Sequence, residues 1–179
     1  MSKQLTYLLI TLFLLSCCKR HVVEDPVALI DAEIINADSI LQLSPGSALE
    51  YLMSSRDSLE AKPLINTHYH ALLTSEALFK TDNPQYFPDE LHSAMLFFDS
   101  LALLYPGNKS LPLLSARSHY MEGIVLLEDD NPIGACKEYL NTLKIMEEAY
   151  DEKDLVGYKA KFMGLTHTRL GGLYFDYGT

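Results

Sequence analysis

The side chains best equipped for chemistry in this chain are six histidines, 24 acidic residues and three cysteines. Zinc hydrolysis would need two imidazoles on one helix face beside a carboxylate base, and His21, His68, His70, His92, His119 and His167 nowhere take the HExxH spacing. His68 and His70 stand two apart in a helical pattern, so their rings point in different directions and share no ligand. Phosphate chemistry would need a glycine-rich loop opening a helix; Gly171-Gly172 instead sits inside a helical pattern, where packing accounts for it. No serine occupies a nucleophile elbow. The carboxylates form solvent-facing stretches, and without a pocket no acid and base can be selected from them. These residues predict no catalytic constellation, no metal centre and no cofactor.

Cys17 is the exception, because its place in the chain gives its thiol a specific chemistry. Lys3 supplies a short positive segment, and residues 5–15 (LTYLLITLFLL) supply an apolar run far shorter than the roughly 20 residues that span a bilayer. Ser16 is the small residue that precedes Cys17 where that run ends. The pattern resembles a bacterial lipobox, in which the cysteine thiol is acylated and becomes the new N-terminus after cleavage. Cys18 is the fallback acceptor, and an ordinary secretory signal with two incidental cysteines is the alternative. The resemblance implies a signal peptide over residues 1–16 and a tether over 17–25. It also implies a lipoprotein anchored to a membrane of the cell envelope and facing the periplasm, held by chains that gain about 0.8 kcal/mol per buried methylene.

Residues 17–179 are enough for one domain with a substantial core. The formal net charge is −10 and becomes one unit more negative when Lys3 is removed. Such an excess repels phosphate backbones, and no Lys/Arg cluster offsets it, so this segment is not expected to bind nucleic acid. With Cys17 acylated, Cys18 and Cys136 make no disulfide framework, and Cys136 reads as a small core residue.

The elements that would position any site are helices. Asp25-Pro26 reads as an N-cap and first turn for residues 27–43, which carry Ile30, Ile34, Ile35, Ile40 and Leu41. After the break at Ser44-Pro45-Gly46, Ser47 and Glu50 have capping-box spacing ahead of Leu49, Leu52 and Met53. Pro63 opens a helix through Ile65, Tyr69, Leu72, Leu73 and Ala77, and residues 80–88 (KTDNPQYFP) read as a loop. Asp89 caps a helix with Leu91, Met95, Phe98, Leu101 and Leu104, closed by Pro106-Gly107-Asn108. Residues 111–127 form the next helix, Asp129-Asp130 the turn, and Asn131-Pro132 the cap of a partner with Cys136, Tyr139, Leu140, Leu143, Met146 and Tyr150 on one stripe. Residues 155–177 make a seventh helical stretch. No segment alternates like a strand, so the expected class is all-α: helical hairpins in series.

A two-helix unit cannot cover its own apolar face and buries it by stacking on a neighbour. With Gly123 at the eighth place of a 34-residue unit, Ala135 falls at the twentieth and Tyr139 at the twenty-fourth, with Leu126 at the eleventh. Leu170, Gly171, Tyr174 and Gly178 fall at the seventh, eighth, eleventh and fifteenth places of a last unit; Ala94, Phe98 and Pro106 match places in an earlier one. These small and aromatic places resemble a tetratricopeptide repeat, an α-solenoid in which glycine or alanine lets helix axes approach to about 8–10 Å. The matching positions, Ala48, Ala94 and Ala135, lie farther apart than one such unit, so the repeats are irregular. A generic antiparallel helix bundle is the alternative architecture.

The phrases SPGSALEYL, HALLTSEALFKT and ARSHYMEGIVLLEDDNPIGACKEYLNTLKIMEEA are similar to membrane-tethered tetratricopeptide lipoproteins of Gram-negative envelopes. The resemblance implies a repeat domain over residues 26–179 whose last repeat is incomplete, its first helix awaiting a partner. It implies a scaffold that binds a protein or peptide without catalysis. Carried over from the ligand-contacting places of such repeats, the concave-face residues are Arg117, Tyr120, Ile124, Leu127 and Glu128 in one unit, and Leu165, Thr168, Gly172, Phe175 and Asp176 in the last. Two other functions stay open: the periplasmic sensory half of a longer membrane-bound regulator, and a carbohydrate-capturing outer-membrane lipoprotein, which predicts exposed aromatics.

Overall fold

The computed structural model describes residues 25–83 and 89–178. The expected signal peptide, Cys17, Cys18 and part of the loop at residues 80–88 lie outside the described residues. Among the described residues the protein is all-α, with seven α-helices and no strand: α1 (Ala32–Leu43), α2 (Pro45–Ser55), α3 (Leu64–Lys80), α4 (Glu90–Leu104), α5 (Leu111–Glu128), α6 (Pro132–Ala149) and α7 (Tyr158–Tyr177).

Local chemistry explains where these helices start, and in three places it departs from the expected boundaries. The helix expected from residue 27 is divided. Asp25 accepts from the Val27 amide at 3.0 Å to start a single 3-10 turn, Pro26–Leu29, and Asp31 then caps α1 by accepting from the Glu33 amide at 2.9 Å. The backbone exposed by that division is satisfied from α3, since Asn66 accepts from the Asp31 amide at 2.7 Å and donates to the Leu29 carbonyl at 3.0 Å. The Ser47–Glu50 capping box does not form, because Pro45 already serves as the first residue of α2, with Ser44 at the cap. The seventh helix starts at Tyr158 rather than 155, after Gly157 adopts φ +58°. By contrast, Asn131 caps α6 as expected, accepting from the Gly134 amide at 2.9 Å.

Each helix packs on the next along the chain, and α1 also touches α3, as α3 touches α5. The core runs through these contacts. Ala48, Ala94 and Ala135 are fully buried, as are the aromatic residues one turn beyond two of them, Phe98 and Tyr139. Gly123 in α5 lies under the Tyr139 ring of α6: a Cβ at this glycine would stand 2.6 Å from Tyr139 Cε1. That is the close approach the small residues predicted. Gly171 is different, with no atom within 4 Å of where its Cβ would be, so the third expected crossing is absent among the described residues. The α6 stripe is also narrower than expected: Leu140 is exposed and Cys136 half-buried at its edge.

Helix α3 sits at the centre and is buried along almost its whole length, including Asn66, His70, Thr74, Ser75 and Glu76. A helix enclosed on all sides must find partners for its polar groups inside the protein.

Candidate functional site

Arg117 is the most deeply buried charged side chain among the described residues. It lies in the middle of α5 and is only 3% exposed. An unpaired guanidinium there would be prohibitively costly, and two carboxylates from other helices surround it. Its Nε and Nη2 donate to Glu76 of α3 at 2.7 and 3.0 Å, a bidentate pair; its Nη2 and Nη1 donate to Asp38 of α1 at 2.7 and 3.1 Å. The Tyr69 hydroxyl of α3 donates to Asp38 at 2.6 Å. The guanidinium carbon also lies 5.8 Å from the ring centroids of Tyr69 and of Tyr158, the first residue of α7. One side chain thus ties α1, α3, α5 and α7 together.

The charges respond accordingly. Burial pushes the Asp38 carboxyl up, but the Arg117 charge and the hydrogen bonds from Arg117, Tyr69 and Gln42 outweigh it and hold the group below the usual carboxylate range. Burial also works against the Arg117 charge, and Glu76, the tyrosines and Asp38 together keep it firmly protonated. Tyr69 and Tyr158 are raised, chiefly by burial, and stay neutral phenols.

Beside this network, α3, α5 and α7 enclose a cavity of about 130 Å³. Its apolar walls are Phe79, Tyr120, Met121, Tyr158, Phe162 and Leu165. Tyr120 and Phe162 pack edge to face at 5.3 Å between centroids. Gln42 of α1, Lys80 at the end of α3 and Lys161 in α7 also line it, and among the described residues neither lysine forms an ion pair within 4.0 Å. Burial lowers the pKa of Lys80; the charges of Arg117 and Lys161 act in the same direction, against Glu76 and Asp38. Glu76, the acidic residue of the lining, already accepts two hydrogen bonds from Arg117.

A second polar cluster occupies the opposite side of α5. His119 Nδ1–H donates to Glu138 of α6 at 2.6 Å, and Nε2–H donates to Asp99 of α4, 3.1 Å from each oxygen. With a carboxylate at both nitrogens the ring carries both protons and offers no lone pair to act as a base. Burial lowers its pKa, but Asp99 and Glu138 more than reverse this and raise it. Ser115 donates to Asp99 rather than to His119, so the three side chains do not form a serine–histidine nucleophile pair. Among the described residues no group of three or more His, Cys, Asp and Glu side chains is set to hold a metal ion.

The expected contact residues separate into distinct environments. Arg117, Tyr120 and Ile124 are buried, which corrects their assignment to an open face: α5 is the middle helix of three, and its inward side is covered by α3 and α7. Leu127 is half-buried and Glu128 exposed. Leu165 is 47% exposed and meets Tyr120 in the cavity wall, so one residue from each expected set comes together there. Thr168 is exposed, its hydroxyl donating to the Gly164 carbonyl at 2.9 Å, and Phe175 is 90% exposed on the outer side of α7 with Gly172 and Asp176.

Sequence reasoning missed Asp38, Tyr69, Glu76, Lys80, Tyr158 and Lys161. A usable signal was present: Glu76 and Arg117 are single charges of opposite sign inside otherwise apolar helical runs, HALLTSEALF and LPLLSARSHYM.

Compared with family models, with curated proteins and with solved structures, the chain matches none.

Proposed function

We propose that this protein is a lipid-anchored scaffold of the cell envelope that binds a protein or peptide segment and performs no catalysis. The observation that carries the reading is the aromatic cavity between α3, α5 and α7, with two lysines free of described ion-pair partners at its lining. An enclosed apolar pocket with a few polar groups is what a ligand-binding site looks like. Support for a tetratricopeptide-like stack comes from the buried alanines of α2, α4 and α6, from the Gly123–Tyr139 contact, and from the touching of alternate helices α1, α3 and α5.

The anchor is part of the same proposal and rests on the Ser16-Cys17 pattern. Labelling with a radioactive fatty acid in a Gram-negative host should mark the wild-type chain and not Cys17→Ser; label retained by Cys17→Ser but lost from Cys18→Ser would move the acceptor by one residue. For binding, the purified chain is incubated with an envelope extract and the retained proteins are identified. Specific retention that is lost when the cavity is filled by Leu165→Trp supports the scaffold reading, whereas no retained protein at all refutes it.

Carbohydrate capture is a second reading, favoured by the exposure of Tyr174, Phe175 and Tyr177 together at the end of α7. It predicts retention on immobilised glycans that is lost in Phe175→Ala and unaffected by Leu165→Trp.

A further inference from the structure

We propose that the cavity between α3, α5 and α7 accepts one apolar side chain of a peptide, and that Lys80 and Lys161 bind a carboxylate on the neighbouring residue of that peptide. The inference rests on the protein-binding reading above and names the ligand chemistry.

Size comes first. An apolar cavity of about 150 Å³ takes a benzene-sized group, and this one is about 130 Å³, room for one ring or one branched aliphatic side chain. Its walls are suited to that guest. Phe79, Tyr120, Tyr158 and Phe162 contribute rings from three helices, and rings held at fixed angles receive another apolar group with little loss of freedom on either side. Tyr120 and Phe162 are already held edge to face, and Phe162 stacks on Tyr158 at 6.1 Å, nearly parallel.

Charge then selects what accompanies the apolar group. Across a chain of net charge −10 most of the surface repels anions, yet this lining carries two ammonium groups, Lys80 and Lys161, from different helices. The acidic residue of the lining is engaged elsewhere: Glu76, like Asp38 behind it in the network, is held by Arg117. An incoming carboxylate would gain charge-assisted hydrogen bonds from both lysines. A cationic residue at the same place would be repelled by both. Selectivity for an acidic over a basic neighbour follows.

The test uses fluorine NMR of a capped tetrapeptide, Gly-Asp-Phe-Gly with a fluorinated ring, added to the full chain in mild detergent. Binding should broaden and shift the fluorine signal. The Gly-Lys-Phe-Gly analogue should bind about tenfold more weakly or worse, and so should the Asp-Phe peptide to the double variant Lys80→Glu/Lys161→Glu, since a charge-assisted hydrogen bond is worth on the order of a tenfold change in affinity. Both lysines are exposed, a melting curve of the double variant checks that it folds, and Leu165→Trp provides an independent block at the wall. Equal binding of the two peptides, or undiminished binding to the double variant, would overturn the proposal. Binding of free phenylpropionate without binding of the peptide would overturn it in favour of a small acid. Failure here is distinct from failure of the broader reading: if the wild type and the lysine double variant retain the same envelope proteins, only the ligand chemistry falls.

Discussion

Arg117 of α5 reaches Asp38 of α1 at 2.7 and 3.1 Å, and α3, which touches both helices, contributes Glu76 to the same guanidinium. Residues 79 positions apart are thereby joined. One cation faces two carboxylates, so the three side chains together carry one net negative charge. Removing Arg117 leaves both carboxylates without their counter-ion.

Arg117→Ala is therefore expected to cost about 3–5 kcal/mol, because Glu76 would be left buried and Asp38 half-buried, both without their cation. Arg117→Met combined with Asp38→Asn and Glu76→Gln should recover much of that loss, since no net charge then remains inside. Urea denaturation of the two variants measures the difference. Equal stability of the single and triple variants would show that packing, not charge, holds this region.

Two glycines should respond in opposite ways to the same change. Gly123→Ala places a methyl group 2.6 Å from the Tyr139 ring, and displacing a fully buried ring should cost about 1–3 kcal/mol. Gly171→Ala meets open space within α7, and replacing a helical glycine should stabilise by about 0.5–1 kcal/mol. Thermal melting of the pair checks both signs, and a destabilised Gly171→Ala would place a neighbour against α7.

Stability should depend on pH from both sides. His119 has a folded pKa raised above 6.5, so its contribution is fully present below pH 6.5 and is lost as pH rises through the folded value. Asp38 and Asp99 have folded pKa values lowered below 3.8, so their contributions are present above pH 3.8 and are lost as pH falls through the folded values. A melting-temperature profile should decline at both ends. His119→Gln, which cannot carry the charge, should flatten the alkaline limb and weaken the Asp99 part of the acid limb, while the Asp38 part stays in place.

The helical class was legible in the residues themselves. Apolar spacing marked seven helices, and Asn131-Pro132 marked one start to the residue, because helix propagation and capping depend on groups within a few positions of one another. The pairs Ala94 with Phe98 and Ala135 with Tyr139 also announced themselves as small and large residues one turn apart, and all four are fully buried. The start of α1 was not legible, since Asp31 could cap it only where Asn66 from α3 satisfied the divided backbone. Nor was the candidate site. Arg117, Tyr120 and Ile124 share one side of α5, and whether that side is open or covered depends on how α3 and α7 are rotated against it.

What the sequence determined by itself, then, is where helices form and which of their residues are small, apolar or charged, because those properties are local. Only the tertiary structure decided that Arg117 is enclosed by Asp38 and Glu76, that Tyr120 meets Leu165 across a cavity, and that Gly123 touches a ring while Gly171 touches nothing. The physical reason is that burial and pairing belong to helix crossings: an axis shift of a few ångströms or a modest rotation exchanges an exposed face for a covered one, and no periodicity within a single helix records it.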